Sequence, residues 1–240
     1  MDLKITKVPL ADIRALRDLF LAEINFQFIY NKCHGAGWAD TYLFTTNGVK
    51  AGYGSIWGKD KREDSDAIFE FYLLPPLRKM ASGIFPEFYK VSKAKYVECQ
   101  SNERMLTNMA YEYAKNIYAE AILFEDHYIT DLNIPGTTFG KKQNEDDEIE
   151  YFLEHEGQIV ATGGYVWNYN FPYIDIYYEV KEDHRKKGFG SLITQELKKE
   201  AYLMDRVPAA RCNINNKASK ATLLKAGMKV CGHILIGELV

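Results

Sequence analysis

Four cysteines in 240 residues are too few for a disulfide framework. Cys33, Cys99, Cys212 and Cys231 form no Cys-x-x-Cys pair, and no histidine stands at zinc-ligand spacing, so no metal site is expected. Seven prolines and 17 glycines exclude a collagen-like repeat. No apolar run approaches the roughly 18–20 residues that span a bilayer. Met1-Asp2-Leu3-Lys4 lacks the basic start and apolar stretch of a secretory signal. Nor does one sign of charge dominate: 30 Lys and Arg face 33 Asp and Glu, so composition lends no support to nucleic-acid binding. These absences lead us to expect a cytoplasmic protein with reduced thiols, acting on neither membrane nor nucleic acid. What the chain does have is 47% hydrophobic and 14% aromatic residues, enough for a real core in one large domain or two small ones.

Periodicity gives the elements. Leu3–Val8 alternates as a strand, and Leu10–Ile24 carries apolar residues at helical spacing. A short helix is expected over 25–33. Residues 39–46 and 49–57 flank Asn47-Gly48, the signature of a tight hairpin. A strand at 67–74 ends at Pro75-Pro76, and 77–93 reads as a helix that Pro86 should interrupt. A strand (96–100), a helix (102–115) and a strand (119–125) follow. Residues 127–147, with Pro135-Gly136, Gly140 and an acidic run, read as a linker. Beyond it come a hairpin (149–155 and 158–167), a strand (172–180), a helix (188–204), a strand (207–213), a helix (216–225) and a closing strand (230–239).

The two halves match at an offset of about 110 residues. Tyr42-Leu43-Phe44, Gly48 and Trp57 align with Tyr151-Phe152-Leu153, Gly157 and Trp167; Phe69–Tyr72 aligns with Ile174–Tyr177; Cys99 and Asn102 align with Cys212 and Asn215. The expected fold is therefore mixed α/β: two tandem units, each a central mixed sheet flanked by helices. The divisions expected are residues 1–126, a linker over 127–147, and 148–240.

One stretch breaks the symmetry. Arg185-Lys186-Lys187-Gly188-Phe189-Gly190 lies between a strand and an amphipathic helix. Two glycines without side chains, helix N–H groups lacking intrahelical partners, the positive end of a helix dipole and three cations together suit a phosphate or diphosphate. The spacing is neither a Rossmann fingerprint nor a Walker loop.

The stretch resembles the acetyl-CoA loop of the GCN5-related N-acetyltransferase (GNAT) family, Gln/Arg-x-x-Gly-x-Gly/Ala. The segment from Asn216-Lys217-Ala218-Ser219 to Ala226-Gly227-Met228 resembles that family's second motif. The resemblance is clear over 148–240. It extends to 1–126 as a degenerate copy, with Arg78–Ser82 where the glycine turn should be. It implies acetyl-CoA as co-substrate, with Arg185, Lys186, Lys187, Gly188, Phe189, Gly190 and Ser191 at the diphosphate. Tyr178 and Val180 would meet the pantetheine arm, beside Asn216 and Ser219. The implied activity is acetyl transfer to a primary amine of an unidentified acceptor by direct attack. A non-catalytic acyl-CoA sensor on the same scaffold is the alternative.

The usual proton-donating Tyr of the second motif is Leu223 here. Tyr177 and Tyr178 are candidate substitutes. Asp175 and Glu179 share a strand face with Tyr177 and are candidate bases. His184 and the run Glu125-Asp126-His127 are weaker candidates. The segment Asn31–Trp38, with His34 and Trp38, is expected to wall the acceptor pocket.

Overall fold

A computed structural model describes residues 2–23, 29–143 and 149–240, the side chain of Arg62 apart. The chain divides into two compact units: residues 1–120 with Gly232–Val240, and Ala121–Cys231.

The first unit opens with β1 (Leu3–Val8), α1 (Leu10–Glu23) and α2 (Asn31–Gly35), the last being what the described residues hold of the helix expected over 25–33. The hairpin β2 (Asp40–Thr46) and β3 (Val49–Trp57) turns through Asn47 and Gly48, both at positive φ as the Asn-Gly pair requires. Then come β4 (Ala67–Leu73), α3 (Ala81–Ser92), β5 (Tyr96–Gln100) and α4 (Arg104–Tyr113). Pro86 does not interrupt α3. The carbonyl its missing N–H would have met, that of Ser82, instead accepts the Tyr113 hydroxyl at 2.6 Å. Five strand segments run in the order β1-β2-β3-β4-β5, and only β4 and β5 are parallel. One face is covered by α3 and α4 over Phe44, Phe71, Phe85 and Phe88. The other is covered by α1, through Ile13, Leu16 and Phe20 against Tyr53 and Tyr72.

The chain passes into the second unit within β6 (Ala114–Asp126), longer than the strand expected over 119–125. A third of the expected linker is in fact a strand, β7 (Thr137–Gln143), paired along its length with β8 (Ile149–His155). Then follow β9 (Gln158–Val166), β10 (Tyr173–Val180), α5 (Phe189–Leu203), β11 (Val207–Asn213) and α6 (Lys217–Lys225). The strand order is β7-β8-β9-β10-β11-β6, and again only one pair, β10 and β11, is parallel. On one face α5 buries Phe189, Ile193 and Leu197 against Leu153, Val160 and Ile176. Leu223 of α6 packs with Ile122, Ala210 and Cys212. No helix of this unit precedes β8 among the described residues, so nothing within the unit corresponds to α1.

The final strand, β12 (Met228–Leu239), does not close the unit that precedes it, as the expected division at 148–240 had it. From Ile234 to Glu238 it is hydrogen-bonded to β5, and so it supplies the sixth strand of the first unit. All four cysteines are free thiols.

Candidate functional site

In the second unit β10 and β11 are paired only from Tyr173–Val207 to Asp175–Ala209. Beyond that point they part: β10 stays with β9 as far as Val180, while β11 stays with β6 as far as Asn213. The parting opens a cleft of about 880 Å³. Its walls are residues 175–180 of β10, Ala210 and Arg211 of β11, the turn after β10, and Asn216, Ser219 and Ala221–Leu223 around α6.

The turn has a fixed shape. Arg185 Nε donates to the Val180 carbonyl at 3.1 Å, which folds the chain back under the end of β10. Lys186 has φ 62° and Gly188 φ 94°. Gly188 is the N-cap of α5, where a left-handed backbone favours glycine. Gly190 sits in a tight space, where a Cβ would lie 3.0 Å from Thr222 Cγ2. The Arg185 N–H is engaged with Glu182 O at 3.1 Å and that of Ser191 with Gly188 O at 3.1 Å. The amides left for an anion are therefore those between them, at the start of α5 where helix geometry provides no partners. His184, a weaker candidate in the sequence, is half-buried with its ring 6.0 Å from that of Phe189, and its Nδ1 has no partner.

Of the residues expected at a cofactor, Tyr178, Val180, Arg185, Lys186, Gly188, Gly190, Ser191, Asn216 and Ser219 all line this cleft. Lys187 and Phe189 do not; the Phe189 ring is 2% exposed and belongs to the core under α5. Asn216 caps α6, its Oδ1 accepting the Ser219 N–H at 3.0 Å. Tyr178 is half-buried, with its hydroxyl 3.1 Å from Ser219 Oγ. Burial raises its pKa above the ordinary phenol value, and bonds to Ser219 and Thr222 pull the other way. Leu223 is buried beside Tyr178.

Asp175 and Glu179 both face the cleft but differ in setting. Glu179 is exposed. Asp175 is buried and accepts a hydrogen bond from Asn168 Nδ2 at 3.3 Å. The run Glu125-Asp126-His127 is spent on structure. Glu125 pairs with Lys229 at 3.1 Å. Asp126 pairs with the buried Lys198 at 2.8 Å and accepts the Tyr202 hydroxyl.

The first unit repeats the turn's anchor. Arg78 Nε donates to the Leu73 carbonyl at 3.2 Å, as Arg185 does to Val180. This places Leu73 on Val180 and shifts that part of the internal alignment by two residues. It also sets Ala81 and Gly83 on Gly188 and Gly190, a correspondence that sequence comparison missed because it was registered on the strand. Two features differ. Arg78 Nη2 is held by Glu23, and the chain runs through a 3₁₀ turn into α3 with Ala81 at φ −54°. His34, expected at a pocket edge, is buried with Nε2 on Glu70 at 2.8 Å.

Residues 108–228, just over half of the chain, match the Acetyltransferase (GNAT) family. The chain belongs to that family. No curated protein matches the sequence. Among solved structures, a GNAT-family acetyltransferase from Colwellia psychrerythraea superposes with a TM-score of 0.81 at 15% identity, over 99% of this chain and 100% of the other. A GCN5-related N-acetyltransferase from Sphaerobacter thermophilus gives 0.65 at 13% identity, over 98% and 95%. A tandem GNAT protein from the clavulanic acid biosynthesis pathway gives 0.62 at 9%, over 99% and 98%. At such identities the likeness is one of fold. GNAT membership brings acetyl-CoA-dependent acyl transfer in general, and no helix among the described residues is long and apolar enough to cross a membrane.

Proposed function

We propose that this chain is an N-acetyltransferase that moves an acetyl group from acetyl-CoA to a primary amine, using the cleft of the second unit, and that the first unit is a degenerate copy of the same fold. The observation that carries this reading is the conjunction of parted strands with a glycine turn at their end. The residues fit the donor. Arg185 and Lys186 enter no ion pair among the described residues, His184 Nδ1 lacks a partner, and the start of α5 offers free amides. Main chain from Tyr178 to Val180 would hold the pantetheine arm, beside Asn216 and Ser219.

Acetyl-CoA supplies a thioester. The chain's part is to orient the amine and to move two protons. An alkylammonium group has a pKa of roughly 10.4 and must lose its proton before it attacks. Glu179, open to solvent, passes that proton to water, while the fixed carboxylate of Asp175 orients the amine. As the C–N bond forms and the C–S bond breaks, the sulfur needs a proton. The Tyr178 hydroxyl supplies it, because burial keeps this phenol protonated and Leu223 cannot serve, and water carries the proton shed by the new amide nitrogen back to the phenolate.

Calorimetry with acetyl-CoA tests the cleft. Gly188→Glu, with circular dichroism unchanged, should abolish binding by placing a carboxylate where the diphosphate lies. Arg78→Ala should leave affinity unchanged, since Glu23 already holds that guanidinium. Retained binding in Gly188→Glu refutes the assignment. Tyr178→Phe should lower kcat by about 100-fold or more while sparing acetyl-CoA affinity. The buried Leu223 keeps the sensor reading in play; binding without thiol release for any amine would establish it.

A further inference from the structure

The cleft carries positive charge at both ends, and a diphosphate accounts for only one of them. Arg185 and Lys186 stand at the turn, beside Val180. Arg211 stands on β11, two residues beyond Ala209, the last position paired to β10. Parallel register puts Arg211 level with Tyr177, across the gap, and therefore roughly 10 Å along the strand from the turn at about 3.3 Å per residue.

Strand alternation fixes the side of the sheet. Ala210 and Cys212 pack toward α6, so Arg211 lies on the opposite face, with Asp175, Tyr177 and Glu179. Among the described residues, no helix of the second unit covers this face. Arg211 is exposed, lines the cleft and enters no ion pair among the described residues. By contrast, Arg17 is bound to Glu70 at 3.0 Å, Arg78 to Glu23, and Arg206 lies over the rings of Trp167 and Phe171 at 5.0 and 4.7 Å. Arg211 and Asp175 both act electrostatically on the Tyr169 hydroxyl, with opposite signs. Arg211 stands two residues beyond the position paired with Asp175, so a cation and a fixed carboxylate share this face at the acetyl end of the cleft and complement a molecule with the reverse arrangement.

We propose that Arg211 anchors a carboxylate of the acceptor, and that the acceptor is a small amino acid-like compound whose amine lies toward Asp175. A guanidinium suits this role because it grips a carboxylate with two parallel hydrogen bonds and never loses its charge. The proposal rests on the acetyltransferase reading above and adds its substrate class.

The test compares common L-amino acids with their carboxamides and with the amines left by decarboxylation. Thiol release gives turnover, and calorimetric titration of each compound into CoA-saturated protein gives binding. In the wild type, at least one amino acid should exceed both of its uncharged-end counterparts about tenfold or more in kcat/KM. Arg211→Gln should raise KM for that amino acid by about 10- to 100-fold with kcat nearly kept, and weaken its binding alike. The preference over the carboxamide should vanish, acetyl-CoA affinity should hold, and Arg211→Lys should restore part of the loss. Equal use of acid and carboxamide by the wild type overturns the proposal. So does a loss of kcat in Arg211→Gln that is the same for every acceptor, or no response to any carboxylate-bearing amine. Failure to bind acetyl-CoA at all strikes the acetyltransferase reading, and the proposal with it.

Discussion

Two glutamates of the first unit respond to pH in opposite senses. Glu103 is 4% exposed and caps α4, accepting the N–H groups of Met105 and Leu106 at 2.9 and 2.6 Å. Burial outweighs those bonds and raises its pKa to about 7. The folded state thus holds this proton more tightly than the unfolded state, where glutamate titrates near roughly 4.3. The stability this group confers is present below that value and is lost as pH rises toward about 7. Burial acts on Glu70 in the same direction, but Arg17 and His34 overcome it and hold the pKa at about 2. Its contribution is complete above roughly pH 4.3 and is lost as pH falls toward 2. Urea unfolding should therefore show Glu103→Gln gaining on the wild type between about pH 5 and 8, and Glu70→Gln losing least in acid. A constant Glu103→Gln difference over that range rules this account out. Such buried charges were not legible in the sequence, because hydrophobic periodicity marks apolar positions and is blind to a polar group that finds its partner 53 residues away, as Arg17 does in Glu70. In the second unit the reverse occurred. The alternation that set Asp175, Tyr177 and Glu179 on one face was visible at once, whereas Arg211 was not, since its interest comes only from where β10 and β11 part.

At the scale of elements, the hairpins and the main helices were legible because each has a turn signal and a regular period. β7 was not. Its glycine and lysines look like a linker, yet each has a role in an edge strand. A Cβ on Gly140 would lie 2.5 Å from the Phe152 ring, and Lys142 pairs with Glu150 at 2.9 Å on β8. The motif at the end of α6 was recognised without its reason, and the structure provides one. Gly227 has φ 79°, and a Cβ there would lie 2.3 Å from the Tyr128 carbonyl. Its own carbonyl accepts the N–H groups of His127 and Tyr128, and Lys198 Nζ donates to the carbonyls of Tyr128, Ala226 and Gly227. This knot secures α6, one wall of the cleft. Gly227→Ala should cost about 2 kcal/mol or more of stability in the second unit, from strain and displacement together. Lys198→Met, which removes a donor from the Tyr128 and Ala226 carbonyls and the cation from Asp126, should cost about 3 kcal/mol. Thermal melts with and without acetyl-CoA measure both; a Gly227→Ala melt equal to wild type would contradict the first.

On the scale of the molecule, the sequence offers an offset of about 110 residues between its halves, and the strand orders of the two units run alike from β1–β5 to β7–β11. The destination of the last strand was not legible. Ile122–Phe124 and Ile234–Ile236 look alike, and nothing in either says which neighbour each will bond. The pairing of β12 with β5 settles it, and this makes the first unit discontinuous in sequence. Removing residues 232–240 should therefore damage the distant N-terminal half. Emission from Trp38 and Trp57, both in the first unit, should shift toward that of the unfolded chain, and amide exchange in β5 should speed up, while the region around Trp167 keeps its protection. Loss of protection confined to the second unit would contradict this division. The same discontinuity sets an order of events during translation. Residues 121–231 form an uninterrupted block that can close as soon as it leaves the ribosome. The first half, although made earlier, lacks the partner of the β5 edge until residues 232–240 emerge. A nascent chain that has not yet released residues 232–240 is therefore expected to present that open edge to any neighbour.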